Sequence, residues 1–547
     1  MCGITLVAWE LSAAAVDAPA WLAPLQYACT KRGPDQAESL SLLLHSGADA
    51  APAVKVDLFS AVLGTRAPLT RQPFSSDSFA LAWNGQVWQG MEYLCAAGQV
   101  AETNDGAALF AAIERRARGG DVAQILGEIF GNIEGPYAFA LVDKRHNAVY
   151  YARDPLGRRS LLRAHDAGRL VLASVGCAEA QSAGLVLDEV PCHAIWRQDL
   201  RRLCEEPIAV SRTSALTVRL SVCAATADEP DAALDDEDDA EERLLQELQD
   251  AVARRSTGIA GGVPGSAVLA VLYSGGLDSA TLALLAHRAM PPGPIDLLTV
   301  AFANPRVLAA AAKAPGHASP YDTPDRLTAR LGLRELQALA PAREWRLVEI
   351  DVAAEEYEAA LPFVRGCMEP CDSVMDLSIA AALYFAARGW GRLADGPDGP
   401  RSYASQARVL LSGLGADELL GGYSRHRRAW ERGGAAALTE ELQLDIDRLP
   451  SRNLGRDDRV MSCHGREVRH PFLDRRVMAY LCGLPLHRKM DLAQRPGAGD
   501  KRILRQVARR LGMAQTAGNV KRAIQFGARS AKMGAGDGRI KGHERLD

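Results

Sequence analysis

Two stretches of the 547-residue chain bring together residue types able to do covalent chemistry. The first begins at Met1-Cys2-Gly3-Ile4, where a small residue follows the initiator methionine. Removal of Met1 would expose the α-amine of Cys2, whose reference pKa of about 7.7–8.0 suits it to take the thiol proton, directly or through water. Nucleophile and base then lie within one residue. A cysteine at position 2 is by itself more often incidental, so the surrounding residues decide. Asn84-Gly85 closes an apolar strand, and the Asn84 amide with the Gly85 N–H would form an oxyanion hole, worth about 3–4 kcal/mol per donor. Arg66 would fork onto a carboxylate and Asp105 would pair with an α-ammonium. Together the four fit an amino acid whose side-chain amide is attacked, namely glutamine.

The second stretch is Val271-Leu272-Tyr273-Ser274-Gly275-Gly276-Leu277-Asp278-Ser279, a strand running through two glycines into a helix. Glycines let the backbone turn tightly against an anion, and exposed N–H groups at a helix start hold phosphate oxygens. Ser274 and Ser279 add hydroxyl donors, and Asp278 is placed to hold Mg²⁺. No G-x-x-x-x-G-K-[ST] string occurs. A further string, Ser412-Gly413-Leu414-Gly415-Ala416-Asp417-Glu418, also follows a strand. Alone it reads as a helix N-cap. Beside the first loop, Asp417 becomes a second carboxylate for the metal.

These groups need elements to position them. Up to about residue 180, short strands are expected at Gly3 to Ala8, Ser39 to Leu44 and Phe79 to Trp88. Helices are expected over Asp105 to Arg118 and Val122 to Phe130, and a hairpin over Tyr137 to Arg153 turning at Lys144 to Asn147. This mixture predicts an α+β unit of layered sheets. Ten acids crowd Asp228 through Glu242, a block that cannot bury itself and reads as a solvated linker or helix start. Beyond it strand and helix alternate: strands at Ala267 to Tyr273, Ile295 to Phe302, Trp345 to Val352 and Arg408 to Leu411, helices at Ser279 to Met290 and Ser378 to Arg388. Alternation predicts an α/β parallel sheet covered on both faces. Asn304 to Thr323 reads as an insertion loop. The expected division is 2–220 for the first unit, 221–245 for the acidic linker, 246–530 for the second unit and 531–547 for a flexible tail.

Composition is ordinary for globular proteins, with 48% hydrophobic and 24% charged residues. The net charge of −4 gives no overall field to recruit nucleic acid, so no nucleic-acid partner is expected. Eleven cysteines, an odd and sparse set, point to a reducing compartment, and no signal segment or apolar run long enough for a membrane is found. Cytoplasmic localisation and no membrane partner are the expectations; a homodimer stays open.

The Ser-Gly-Gly-x-Asp-Ser string resembles the pyrophosphate loop of ATP pyrophosphatases, which cleave ATP between the α and β phosphates. More broadly, the chain resembles a class II glutamine amidotransferase joined to an asparagine-synthetase synthase domain. The resemblance rests on Cys2-Gly3-Ile4, Arg32-Gly33-Pro34-Asp35, Trp83-Asn84-Gly85 and Arg153-Asp154-Pro155-Leu156-Gly157. It continues through the two loops, Gly465-Arg466-Glu467-Val468-Arg469-His470-Pro471-Phe472-Leu473-Asp474 and Lys501-Arg502-Ile503-Leu504-Arg505, covering roughly residues 2 to 530. It implies an N-terminal nucleophile (Ntn) hydrolase-like αββα fold, then an adenine nucleotide α-hydrolase-like fold. Cys2 would form a glutamyl thioester and release ammonia, which travels inside the protein to a carboxylate adenylated by ATP, nominally aspartate. Leu272 and Phe302 would flank adenine, Ser412 and Gly413 would contact the nucleotide, and Lys501 would stabilise charge on pyrophosphate or the intermediate.

Three positions depart from that family. Leu414 replaces a glutamate expected to act as acid–base, and leucine moves no proton. No Arg or Lys occurs from Gly366 to Ala387, where the family places an arginine for aspartate's carboxylate; Met375 and Asp376 stand there instead. Gln86 replaces the glutamate after Asn-Gly. Either the acceptor differs, or the chain is a scaffold that keeps nucleotide or glutamine binding without synthesis. Among smaller features, Cys367 and Cys371 read as reduced packing residues rather than zinc ligands. Arg425-His426-Arg427-Arg428 reads as a solvated helix face, with phosphate contact next, and Lys521 to Lys532 as a surface helix.

Overall fold

The computed structural model describes residues 2–11, 18–45, 52–95, 104–166, 168–203, 205–212, 220–223, 237–304, 308–309, 319–393, 400–533 and 543–546. Within them the N-terminal half stacks two six-stranded antiparallel sheets. In the first, strand Gly3–Glu10 lies between Pro52–Val62 and Arg169–Ala173. In the second, Phe79–Gly85 pairs with Tyr137–Asp143, which pairs in turn with Ala148–Arg153. Side chains alternate faces along a strand. Accordingly Ile4, Leu6 and Ala8 meet Ala80, Ala82, Ala138 and Ala140 in the core between the sheets. Phe79, Leu81 and Trp83 point the other way, against helices Asp105–Arg116 and Val122–Asn132. Val7 and Trp9, on the outer face of the first sheet, pack on helix Leu22–Arg32. The result is a helix–sheet–sheet–helix sandwich.

The C-terminal half is built on a seven-stranded sheet in the spatial order Arg401–Ala404, Trp390–Leu393, Trp345–Val352, Ile295–Phe302, Leu269–Leu272, Val409–Leu411 and Glu467–Arg469. The last five strands are parallel, and the first two close one edge antiparallel. The strand order reverses direction between Leu269–Leu272 and Val409–Leu411. Such a switch point opens a crevice at the carboxyl ends of the strands, where ligands bind. Both glycine-containing loops leave those two adjacent strands, which pair Leu269 with Val409 and Val271 with Leu411. Leu269 and Val271 face a helical core on one side, while Ala270 and Leu272 face the other, so the sheet is covered on both faces.

The expected strands and helices named above are present with ends moved by a few residues; the strand expected to run from Phe79 to Trp88 stops at Gly85. The Lys144 to Asn147 turn joins a hairpin in register Asp143 to Ala148. Not anticipated were strand Pro52–Val62, helices Pro324–Leu339 and Ala354–Met368, and, beyond the helix face expected at Arg425 to Arg428, the long helical run Ser424–Leu449, kinked at Gly433-Gly434, with its continuation through a π-turn, Pro450–Leu454, into Gly455–Ser462; His426 in that expected solvated face is buried. Most of the proposed insertion loop, and residues 224–236 of the acidic linker, fall outside the described residues. The acidic block's end is helical, because Glu237–Ser256 is one helix that spans position 246. Lys521 to Lys532 is not a surface helix: only Ile524–Gly527 and Ser530–Lys532 form short turns, and Ala528 accepts a hydrogen bond from Phe302 N at 2.9 Å. In the tail, residues 534–542 lie outside the described set, whereas Leu546 N donates to Asp372 O at 2.7 Å. No helix among the described residues is long and apolar enough to cross a membrane.

Candidate active sites

Strand parity brings the first cluster together. Cys2 shares the inward face of Ile4 and Leu6, and Asn84 shares that of Ala80 and Ala82, so the two meet where the inter-sheet core ends. Cys2 N donates to Asn84 Oδ1 at 2.9 Å. Asn84 is 1% exposed, and its Nδ2 is buried without a hydrogen-bond partner. A buried donor left unpaired costs about 1–3 kcal/mol. Gly85 is required next to it, because a Cβ there would come within 2.7 Å of Tyr137 Cβ. Burial pushes the Cys2 thiol pKa up.

A small pocket, of about 40 Å³, opens at Cys2, lined also by Arg66, Gly85, Gln86 and Asp105. Arg66 Nη1 lies 3.6 Å from Asp105 Oδ2. Asp105 Oδ2 also accepts from Val87 N, and Oδ1 from Gly106 N, both at 2.9 Å. Burial raises the Asp105 pKa, opposed by the Arg66 guanidinium. The pair thus presents one cation and one anion side by side, the complement of an amino acid's head group. Gln86 is turned to Thr65 Oγ1, to which its Nε2 donates at 3.0 Å. One neighbour was not foreseen: Glu467, from the edge strand of the parallel sheet, accepts from Thr65 Oγ1 at 3.2 Å and from Gln86 Nε2 at 3.4 Å. Glu467 was legible only as part of a longer string, without a role.

The second cluster surrounds a larger cavity, of about 800 Å³, at the switch point. Leu272, Ser274, Gly276, Asp278, Ser279, Ser412, Gly413, Asp417 and Lys501 all line it. Gly275 turns the first loop at φ +70°, and a Cβ there would lie 2.3 Å from Thr328 O, so only glycine fits. The loops touch: a Cβ on Gly413 would sit 3.0 Å from Asp278 Cβ. Lys501 Nζ reaches both carboxylates, at 2.6 and 2.7 Å from the Asp278 oxygens and 2.7 Å from Asp417 Oδ1. Lys501 itself takes the left-handed backbone conformation, φ +53°, at the start of helix Arg502–Arg510. Lys521 also pairs with Asp417. Burial alone would raise Asp417, but Lys501 and Lys521 beside it hold its pKa well below the usual carboxylate range. Asp325, near Lys521 and Arg522 on the same cavity, has its pKa pushed up to about 7 by burial.

Phe302 is not brought to this cavity. It is 1% exposed and packs edge-on against Tyr357 and Phe385. Val300, two residues earlier, and Ile524 line the cavity beside Leu272 instead. Asp278 and Asp417 stand close enough to share one cation, and at present share the Lys501 ammonium. That donor set suits Mg²⁺, which is held by one or two carboxylates together with phosphate oxygens. Among the described residues no group of three or more His, Cys, Asp or Glu side chains is arranged around a metal position.

Where an acceptor's cation was sought, Asp376 is neutralised: Arg456 Nη1 donates to it at 2.6 Å, and Arg456 Nη2 to Asp457 at 2.7 Å. Arg456 begins helix Gly455–Ser462, whose next turn leaves this cavity altogether. Asp458 pairs with Arg32 at 2.6 Å, both side chains fully buried, and Arg32 Nε donates to Cys2 O at 3.3 Å. A second link is strand Glu467–Arg469, with Glu467 beside the thiol pocket and Arg469 O accepting from Ser412 N at 3.0 Å.

Comparison with known proteins agrees with this layout. The family described as Glutamine amidotransferase domain matches residues 63–178, and that described as Asparagine synthase matches 243–438 and 429–525. Human asparagine synthetase domain-containing protein 1 is 34% identical, over 87% of this chain and 88% of that protein. The chicken protein of the same name is 31% identical over 97% of each. A putative glutamine-hydrolysing asparagine synthetase of Methanocaldococcus jannaschii is 26% identical over 73% of this chain and 70% of its own length.

Proposed function

The chain belongs to the asparagine synthetase domain-containing protein 1 group of the asparagine synthase family, and on that premise we propose that it is a glutamine-hydrolysing, ATP-dependent amidotransferase. The observation that carries the reading is the buried, unpaired Asn84 Nδ2 beside Cys2. Glutamine enters with its α-carboxylate on Arg66 and its α-ammonium on Asp105. The Cys2 thiol gives its proton to the α-amine and attacks the amide carbon. Asn84 Nδ2 and Gly85 N–H donate to the oxygen that gains charge. Ammonia leaves, and water releases glutamate from the thioester.

At the second site Ser274, Ser279 and the backbone of the two loops donate to the phosphates of ATP, and Leu272 borders the adenine. Lys501 shifts its ammonium from the two carboxylates toward the departing pyrophosphate. Asp278 and Asp417, relieved of that partner, would hold Mg²⁺, which when bound neutralises charge on phosphate oxygens. Ammonia then attacks the activated carboxylate, for which aspartate is the nominal acceptor. Cys2→Ala is expected to abolish glutamate release from glutamine while ATP binding, followed by titration calorimetry, persists. Equal glutamate release by the variant would remove the nucleophile from the scheme.

A second reading is favoured by Leu414 and by the Asp376–Arg456 pair: a scaffold that binds nucleotide and glutamine without making asparagine. Pyrophosphate release separates the two. The amidotransferase forms pyrophosphate in a glutamine- and acceptor-dependent way; the scaffold forms none with any acid offered.

A further inference from the structure

Arg448, Arg452 and Arg456 recur every fourth residue along the end of the long helix, the π-turn and the helix after it, and all three line the large cavity. Four-residue spacing keeps side chains on one side of a helical path. The three differ in how their charge is used. Arg456 is buried, and Asp376 and Asp457 absorb its charge. Arg448 and Arg452 are exposed and have no carboxylate partner among the described residues, as is true of Arg428 at the other end of the long helix. Arg425, by contrast, is tied to Asp445 and Glu441. Unspent guanidinium charge along this helical path therefore sits at its exposed residues, at the cavity's mouth, while half-buried Met375 and Leu414 and the cluster of Arg456 with Asp376 and Asp457 offer no free cation.

An acid the size of aspartate, with its reacting carboxyl near Leu414 and Lys501, would set its other carboxylate against that closed pair and find no cation. A longer acid would reach the mouth. Resting on the reading of this cavity as a carboxylate-activating ATP site, we propose that the acceptor is a carboxylic acid carrying a second, remote anionic group, phosphate or carboxylate, held by Arg448 and Arg452. Guanidinium groups match both oxyanions in a bidentate fork. The π-turn that carries Arg452 is an uncommon local geometry often found at functional positions.

The test is calorimetric binding of aspartate, O-phosphoserine and citrate to the full chain, with and without a non-hydrolysable ATP analogue. The extended anions are expected to bind at least about tenfold tighter than aspartate, and the comparison of phosphoserine with citrate tells phosphate from carboxylate. The paired change Arg448→Ala with Arg452→Ala is expected to remove that preference, with the melting curve unchanged as the check on folding and Lys at both positions restoring part of it. Aspartate binding as tightly as the extended acids, or the Ala variant keeping wild-type affinity for all three, overturns the proposal. Failure of the ATP analogue to bind would instead overturn the underlying reading, and the acids measured without it still decide the arginine question.

Discussion

Asn84 and Asp325 show how single groups set what this chain can do. Asn84 Nδ2 is kept dry and unpaired while its Oδ1 holds Cys2 N, so loss of the side chain takes one donor from the oxyanion and leaves that N–H unpaired, at a folding cost of about 1–3 kcal/mol. Asn84→Ala is expected to lower glutamine turnover by roughly 10²–10³-fold with a much smaller change in KM, read from steady-state glutamate release. Asp325 works in the opposite sense. Burial raises its folded pKa to about 7, above the usual aspartate value of about 3.9, so the fold favours the protonated acid. Its stabilising contribution is complete below about pH 4 and is lost as pH rises toward 7. Asp325→Asn should therefore flatten that decline, adding up to about 4 kcal/mol at pH 8 in urea unfolding and nothing at pH 4. A variant no more stable than wild type at pH 8 would contradict the burial argument. The residue types of the thiol site were legible because each is chemically specific. Asp325 was not, since an aspartate three residues before a helical apolar run looks like any helix start.

At the scale of elements, the two phosphate-side loops were readable because a strand, two glycines and a helix leave few alternatives. Gly275→Ala would force φ +70° on a residue with a Cβ and drive that atom into Thr328 O. A loss of at least about 1–2 kcal/mol of stability and of nucleotide binding is expected, from denaturant melts and calorimetry. Most of the run Ser424–Leu449 and its continuation were missed because their charged surface lacks a clean apolar stripe, because the run kinks at Gly433-Gly434, where the backbone leaves helical φ/ψ, and because Pro450 stands where the chain nevertheless keeps coiling. Phe302 was misassigned for a related reason. Val300 and Phe302 share one face of an eight-residue strand buried throughout, and nothing in such a run marks that Val300 borders the cavity while Phe302 packs against Tyr357 and Phe385.

Across the whole molecule, residues 457 and 458 divide one helix between two chemistries, and Arg32 completes the connection to Cys2. Arg32→Ala would leave the buried Asp458 with only the more distant Arg159 guanidinium, at 3.9 Å, and the Ser160 N–H, at 3.2 Å, at a cost of up to about 3–5 kcal/mol. The double change Arg32→Met with Asp458→Leu should recover most of that stability. It should nevertheless loosen the stoichiometry of glutamate to pyrophosphate, measured in the same reaction, because the nucleophile's carbonyl loses its tether. An unchanged ratio would confine the pair to packing. No local pattern in the sequence announces such a pair, whose members lie 426 positions apart. Beyond the first sheet, Ala28 and Cys29 of helix Leu22–Arg32, together with Cys177 and Ala180, belong to the same apolar core as Val364, Leu377 and Ala381 of the second half. A shortened chain ending near residue 220 would bare that surface to water and should clump rather than work as a lone glutaminase. Each half is in effect the other's lid, so a destabilising substitution under either site will surface as failure at both.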